Sequence, residues 1–268
     1  MQKFQKIFKV AHPIIGMIHI QALPGTPNYQ DNCGFILNEA LKEGRLYKNT
    51  GIDALMIENM HDVPYQKNTV GPEITSMMTL VANAIKKETR LPMGIQILAG
   101  ANKEALAVAK TAQLDFIRAE GFVFGHVADE GYIDSQAADL LRYRKQIDAE
   151  HIAVFTDIKK KHSSHALTAD VTITETAHAA EFFLSDGLIL TGKQTGAEAD
   201  SNEIESVKKT TKLPVLIGSG VTLENVREYL AISDALIVGS YFKKEGFWKN
   251  ELEPKRIEKF MEKVNQFR

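Results

Sequence analysis

Eight short apolar runs, each followed by a segment of helical periodicity, recur from one end of the chain to the other, and this alternation constrains the fold most. The runs span residues 14–20, 54–58, 93–98, 115–118, 153–157, 187–190, 214–217 and 235–238. Helical patterns fill 35–49, a stretch opening at Pro72, then 103–111, 134–148, 174–184, 201–211, 222–231 and 254–266. After Pro72, for example, Ile74, Met77, Met78, Val81 and Ile85 fall on one helical face. A strand that returns to its own direction through a helix builds a parallel sheet, and strands this uniformly apolar have both faces covered. The chain has 268 residues, and a (β/α)8 barrel needs about 250. The expected fold is therefore α/β, a single (β/α)8 TIM barrel over 1–268 with residues 1–12 as an N-terminal extension. A doubly wound open sheet is the alternative, but it would place its glycine-rich turn after the first strand, and here such turns close the last two units.

Those turns carry a second signal. Pro214-Val-Leu-Ile runs straight into Gly218-Ser219-Gly220, and Ala235-Leu-Ile-Val into Gly239-Ser240. Glycine at a strand's C-terminal end lets backbone N–H groups approach a ligand with no Cβ in the way, and barrels hold phosphate after their seventh and eighth strands. Thr191 and Gly192 extend the set from the sixth strand, and Thr222 is placed to cap the next helix, whose N-terminus favours negative charge. The plainer alternative is that these glycines only permit tight turns.

Residues just past the other strand ends are polar, where an ionisable group needs a partner or a ligand. They are His19 and Gln21; Glu58, Asn59 and Asp62; Gln96; Arg118 and Glu120; and Asp157, followed by Lys159, Lys161 and His162. Glu58 and Asp157 each close an apolar run, so desolvation raises the carboxyl pKa toward neutrality and suits either to proton transfer. The competing role for each is a structural ion pair with Arg118 or a lysine. Arg118 can hold an anion by its planar fork. Lys161 with His162 is either an acid/base or Schiff-base pair or part of a solvated basic loop, to which Lys160 is assigned. No cofactor is required; a divalent metal remains open, with His19, Glu58, Asp157 and His162 as mixed nitrogen and oxygen donors, although no HxH or HExxH spacing occurs.

Asp53, Asp115, Asp186 and Asp234 each precede a strand and are assigned to turn capping on the bottom face. Residues 119–133, with Gly121, Gly125 and Gly131, form a long loop suited to folding over a ligand or to dimer contact, and 192–200, holding Thr195-Gly196, is a second gate. The formal net charge of −2 argues against a nucleic-acid partner, and no apolar run reaches the roughly 18 residues of a membrane span. Cys33 is the only cysteine, which fits a reducing compartment and an unreactive loop thiol. Lys3, Lys6 and Lys9 alternate with Phe4, Ile7 and Phe8. Without arginine, and so close to the first strand, this segment fits a turn plugging the barrel floor better than an organellar presequence. A cytoplasmic location is expected.

Taken together, Ile15-Gly-Met-Ile-His19, Leu23-Pro-Gly-Thr-Pro27, Ile57-Glu-Asn59, Asp62-Val-Pro-Tyr65, Phe116-Ile-Arg118, Asp129-Glu-Gly131, Leu140-Leu-Arg-Tyr-Arg144, Asp157 with Lys161-His162, Thr191-Gly192, Thr195-Gly196 and Gly218-Ser-Gly-Val-Thr222 with Glu224-Asn225 resemble the BtpA family over nearly the whole chain. That family is named after a factor in photosystem I biogenesis and placed among the ribulose-phosphate-binding barrels. The resemblance implies the barrel and a phosphate-type site. The chain departs from the pattern at Gln96 with Ala99-Gly100-Ala101, where asparagine and an Arg-Asn-Asp run are usual, at Lys159 and at His61. The expected function is binding of a small phosphorylated metabolite between Gly218–Gly220 and Gly239–Ser240, with isomerase- or epimerase-like acid/base chemistry by Glu58 or Asp157 and oxyanion stabilisation by Arg118 or Lys161. The alternatives are metal-assisted hydrolysis of a phosphorylated or nucleoside-like substrate, with His19 and Asp157 as ligands, and a non-catalytic assembly factor. A homo-oligomer is compatible with either.

Overall fold

A computed structural model describes residues 1–192 and 196–268. Eight parallel strands close into a barrel: β1 (Ile14–His19), β2 (Ala54–Glu58), β3 (Met93–Gln96), β4 (Phe116–Ala119), β7 (Ala153–Asp157), β9 (Gly187–Leu190), β10 (Val215–Ile217) and β11 (Ala235–Val238), with β11 pairing back to β1. The helices between them are α2 (Cys33–Asn49), α3 (Pro72–Thr89), α4 (Asn102–Thr111), α5 (Ala137–Gln146), α6 (Ile173–Phe182), α7 (Ser201–Thr210) and α8 (Val226–Ile232), and α9 (Pro254–Asn265) follows the last strand. Local chemistry starts three of them, whereas α5 and α8 open at Ala137 and Val226, three and four residues later than expected. Pro72 opens α3, Asn32 accepts from the Phe35 N–H at α2, and Thr172 with Glu175 forms a capping box on α6.

Parallel strands hide both faces, so each strand feeds two cores. Outward residues pack with the helices, while Ile15, Met17, Met56, Phe116, Phe155, Ile189, Leu216 and Ile237 fill the barrel. Space for the interior aromatics comes from glycine: a Cβ at Gly94 would lie 2.1 Å from the Phe116 ring. The N-terminal segment closes the floor as a helix, α1 (Gln2–Ile7), where a simple turn was expected. Its Phe4 and the following Phe8 reach Phe155 and Phe116 at centroid distances of 6.2 and 5.7 Å.

The four bottom-face aspartates are structural, as expected, and what they hold is the neighbouring strand. Asp53, Asp115, Asp186 and Asp234 accept from the N–H groups of Ile14, Met93, Val154 and Val215, each on the preceding barrel strand. Each also meets a basic side chain, respectively Arg268, Lys86, Arg144 and Lys208.

The stretch 119–133 is not an open flap. It forms a hairpin, β5 (His126–Ala128) and β6 (Gly131–Ile133), and β5 also pairs with β8 (Ser163–Ser164) from the loop after β7. A Cβ at Gly121 would lie 2.6 Å from Ile133, and one at Gly125 2.1 Å from the Tyr132 hydroxyl, so these glycines permit close packing where hinges were expected. In the second expected gate, Thr195 lies outside the described residues. The part that follows is anchored, with Tyr229 donating to the Ala199 carbonyl and Asn225 to Glu198.

Candidate functional site

Strand periodicity builds the site. Side chains alternate in and out, so the residue two beyond each interior position also faces inward. Counting on from Met17, Met56, Gly94, Phe116, Phe155, Ile189, Leu216 and Ile237 gives His19, Glu58, Gln96, Arg118, Asp157, Thr191, Gly218 and Gly239. Each strand thus adds one polar residue or glycine to its C-terminal mouth, with His19 beside Glu58 and Glu58 beside Gln96 in register.

Arg118 and Asp157 form a buried bidentate pair, Nε to Oδ2 at 2.8 Å and Nη2 to Oδ1 at 2.7 Å. Burial disfavours the arginine's charge, but Asp157 outweighs it and holds the pKa above the ordinary value. Both carboxylate oxygens are therefore engaged, and the structural role weighed for Asp157 is the one its geometry favours. Nη1 remains on the other side of the guanidinium, 3.6 Å from the Cβ position of Gly218.

Glu58 stands differently. Burial pushes its carboxyl up, with Arg118 and Lys161 opposing that rise. Burial, then Arg118, pushes the Lys161 ammonium down, against Glu58 and Asp157. His19 is held down to about 3, first by burial and then by Lys243, so it is neutral near pH 7. Its Nδ1 lies 3.3 Å from the Trp248 carbonyl oxygen, which can only accept. Nδ1 must carry the proton, leaving a lone pair on Nε2. That Nε2 lies 3.3 Å from the Cβ position of Gly239.

One cavity of about 330 Å³ joins these groups to the glycine turns. It is lined by His19, Glu58, Arg118 and Lys161 together with Gly218, Ser219, Gly220, Gly239 and Ser240. Thr191 and Gly192 are not on its wall. The Thr191 hydroxyl oxygen is buried with no hydrogen-bond partner, and a Cβ at Gly192 would lie 2.2 Å from the Ala197 carbonyl. Gly220 has φ +67°, and a Cβ there would lie 2.3 Å from the same carbonyl, so the backbone by itself requires glycine. Thr222 does not cap the helix. Its N–H is bound by the Asn225 side chain at 2.8 Å, and α8 opens only after Asn225.

Arg256 is the cation that sequence reasoning missed. It reaches the cavity from α9, steadied by Nε donating to the Tyr241 carbonyl at 2.6 Å and by stacking 4.5 Å over the Tyr241 ring. In sequence it is one basic residue on the first turn of an amphipathic helix, with no motif around it.

Lys160 is also corrected. It is buried and paired with Glu120 at 3.0 Å, while Glu120 accepts from Gln96 at 2.9 Å, so it is not part of a solvated loop. His162 is exposed in the loop after β7, next to β8. Among the described residues, no cluster of three or more His, Cys, Asp or Glu side chains is arranged to hold a metal, and Asp157 is committed to Arg118.

A model of the BtpA family matches residues 10–266. A mitochondrial protein of Caenorhabditis elegans, itself uncharacterized, is 51% identical over 97% of this chain and 96% of its own. The photosystem I biogenesis protein BtpA of Synechocystis is 30% identical, covering 95% of this chain and 88% of that one. Among solved structures, the thiamine phosphate pyrophosphorylase of Pyrococcus furiosus superposes with a TM-score of 0.59 at 14% identity over 96% of both chains. The phosphoribosylanthranilate isomerase of Thermotoga maritima gives 0.56 at 14%, over 95% of this chain and 99% of that one. At such identities the likeness is one of fold.

Proposed function

The chain belongs to the BtpA family, and from that premise we propose that it binds a small phosphorylated metabolite at the barrel mouth and moves a proton next to a carbonyl, as isomerases and epimerases do. The observation carrying this is that one cavity holds two unlike sets of groups, which we read as two poles. At one pole, Gly218–Gly220, Gly239–Ser240 and Arg256 offer backbone and guanidinium donors to a phosphate. The fold neighbours include proteins named for phosphorylated compounds, thiamine phosphate and phosphoribosylanthranilate.

At the other pole, Glu58 is the base. A carboxylate raised by burial can take a proton from carbon near neutral pH and return it to the neighbouring carbon. The oxyanion formed meanwhile is stabilised by Arg118 Nη1 or Lys161. Asp157 fixes the guanidinium plane, and His19 Nε2 accepts from a substrate hydroxyl. These steps need no cofactor.

The test is thermal shift against a panel of pentose and hexose phosphates, followed by solvent-deuterium exchange into whichever ligand binds. Saturation at 100 times Kd stabilises by about 2.7 kcal/mol, a rise of roughly 5–11 °C. Ser240→Asp, which sets a carboxylate in the anion pole, abolishes that rise. Glu58→Gln keeps the rise and loses exchange by roughly 10²-fold or more. No shift with any phosphate from folded protein sinks the proposal. Binding without exchange would favour the second reading, a non-catalytic assembly factor, which the name of the Synechocystis relative supports.

Among the described residues no helix is long and apolar enough to cross a membrane. We place the protein in the cytoplasm, with the mitochondrion, named for the worm relative, as the alternative.

A further inference from the structure

Beside the phosphate cavity lies a second opening that the proposed chemistry does not use, with a volume of about 580 Å³. Its walls combine the rings of Trp248, His61, Tyr29 and Phe35 with the amides of Gln21 and Gln30. These come from the loops after β1, β2 and β11 and from the first turn of α2, so the opening sits on the same mouth. Phe35 is 48% exposed there, an apolar ring left facing the gap. Trp248 is tilted against His61 at 4.9 Å and stands edge-on to His19 at 6.1 Å. The exposed Lys249 ammonium lies over the indole at 5.1 Å, so a solvated side chain and not packed core covers that face.

His19 links the two openings. One edge of the imidazole approaches Gly239 in the phosphate turn, and the ring meets Trp248 on the other side. One imidazole therefore stands between Gly239 of the glycine turn and Trp248 of the aromatic wall, at 3.3 Å from the Cβ position of the first and 6.1 Å from the ring of the second. Aromatic faces bind planar rings by stacking, and side-chain amides supply donors and acceptors to the edge of a nitrogen heterocycle. An aliphatic tail would gain nothing from those amides.

We propose that this opening is a subsite for a planar heteroaromatic ring on the same phosphorylated ligand, so that the substrate class is a heterocycle joined to a phosphate through a polyol, not a bare sugar phosphate. The proposal rests on the phosphate reading of the neighbouring cavity. Trp248 is the sole tryptophan of the chain, so indole emission excited at the red edge originates at this wall.

Titrations with adenosine 5′-monophosphate, uridine 5′-monophosphate, ribose 5-phosphate and the two free nucleosides, excited at the red edge of the indole band, test it. At least one nucleotide should change the Trp248 emission and bind about ten-fold or more tighter than ribose 5-phosphate, the gain from stacking one ring. Phe35→Ala, a surface change that leaves the indole in place, should remove about ten-fold of that affinity and leave ribose 5-phosphate binding by thermal shift unaltered. Ribose 5-phosphate binding as tightly as both nucleotides, with Phe35→Ala silent, overturns the ring subsite and leaves the phosphate reading standing. Quenching by nucleosides with no gain from the phosphate keeps the ring subsite and overturns the phosphate reading. Silence from every probe overturns both.

Discussion

Truncating Asp157 to alanine would leave the Arg118 guanidinium in a site where its side chain is 5% exposed and both of its bonds to the carboxylate are gone. Breaking one side of a buried pair costs about 3–5 kcal/mol, because the remaining charge stays desolvated. Each partner here has other opposite charges nearby, Glu58 and Glu120 for Arg118 and Lys160 and Lys161 for Asp157. The cost of Asp157→Ala, and equally of Arg118→Met, should therefore sit near the lower bound, about 3 kcal/mol. For a chain of this size that lowers Tm by roughly 6–12 °C. The double variant removes both charges, leaves neither stranded, and should lie within about 3 °C of the better single variant. Scanning calorimetry of the four proteins at neutral pH, at low and high salt, measures the coupling, and burial should make it nearly independent of salt. A double variant whose loss equals the sum of the two single losses would refute the coupling, and with it the claim that Asp157 holds Arg118 in place.

Three further outcomes follow from the same geometry. His19 is held at about 3 in the folded chain against 6.5 when unfolded, so the unfolded state binds more protons across that window and stability falls as pH drops through it. The His19-dependent loss should reach roughly 3 kcal/mol by about pH 4.5, and His19→Gln should show a correspondingly smaller acid shift in its urea midpoint; equal shifts would refute it. Phe8→Ala empties the floor beneath Phe116 and Phe155 and should cost about 3–5 kcal/mol, read as a Tm drop of at least about 6 °C; a drop under about 2 °C would show that the plug is dispensable. Asp115→Ala strips the acceptor from the Met93 N–H, which should cost about 1–3 kcal/mol and speed hydrogen exchange at that amide; unchanged exchange would mean that the aspartate does not clip the strand.

The mouth was unevenly legible. Glu58, Arg118 and Asp157 each follow an interior apolar residue by two positions, and strand alternation carries that parity into space. Arg256 and the Trp248 wall have no such marker. They arrive from the segment after the last strand, whose path depends on how α9 packs. Lys160 reads in sequence as part of a solvated loop because its burial depends on contact between the loops after β4 and β7, with Glu120 and Lys160 about 40 residues apart, which local pattern does not encode.

The chain's sequence by itself determined the barrel, because alternating apolar runs and amphipathic segments leave a parallel, doubly covered sheet as the way to bury both. It also determined which residues of the strands point inward at the mouth, since alternation along a strand is a local property. Tertiary structure alone decided how those residues divide their charges: Asp157 bound to Arg118, Glu120 to Lys160, Glu58 left raised, and His19 held neutral beside Lys243. Ionisation and pairing depend on distance and on exclusion of water, which are fixed only once separate strands and loops have met.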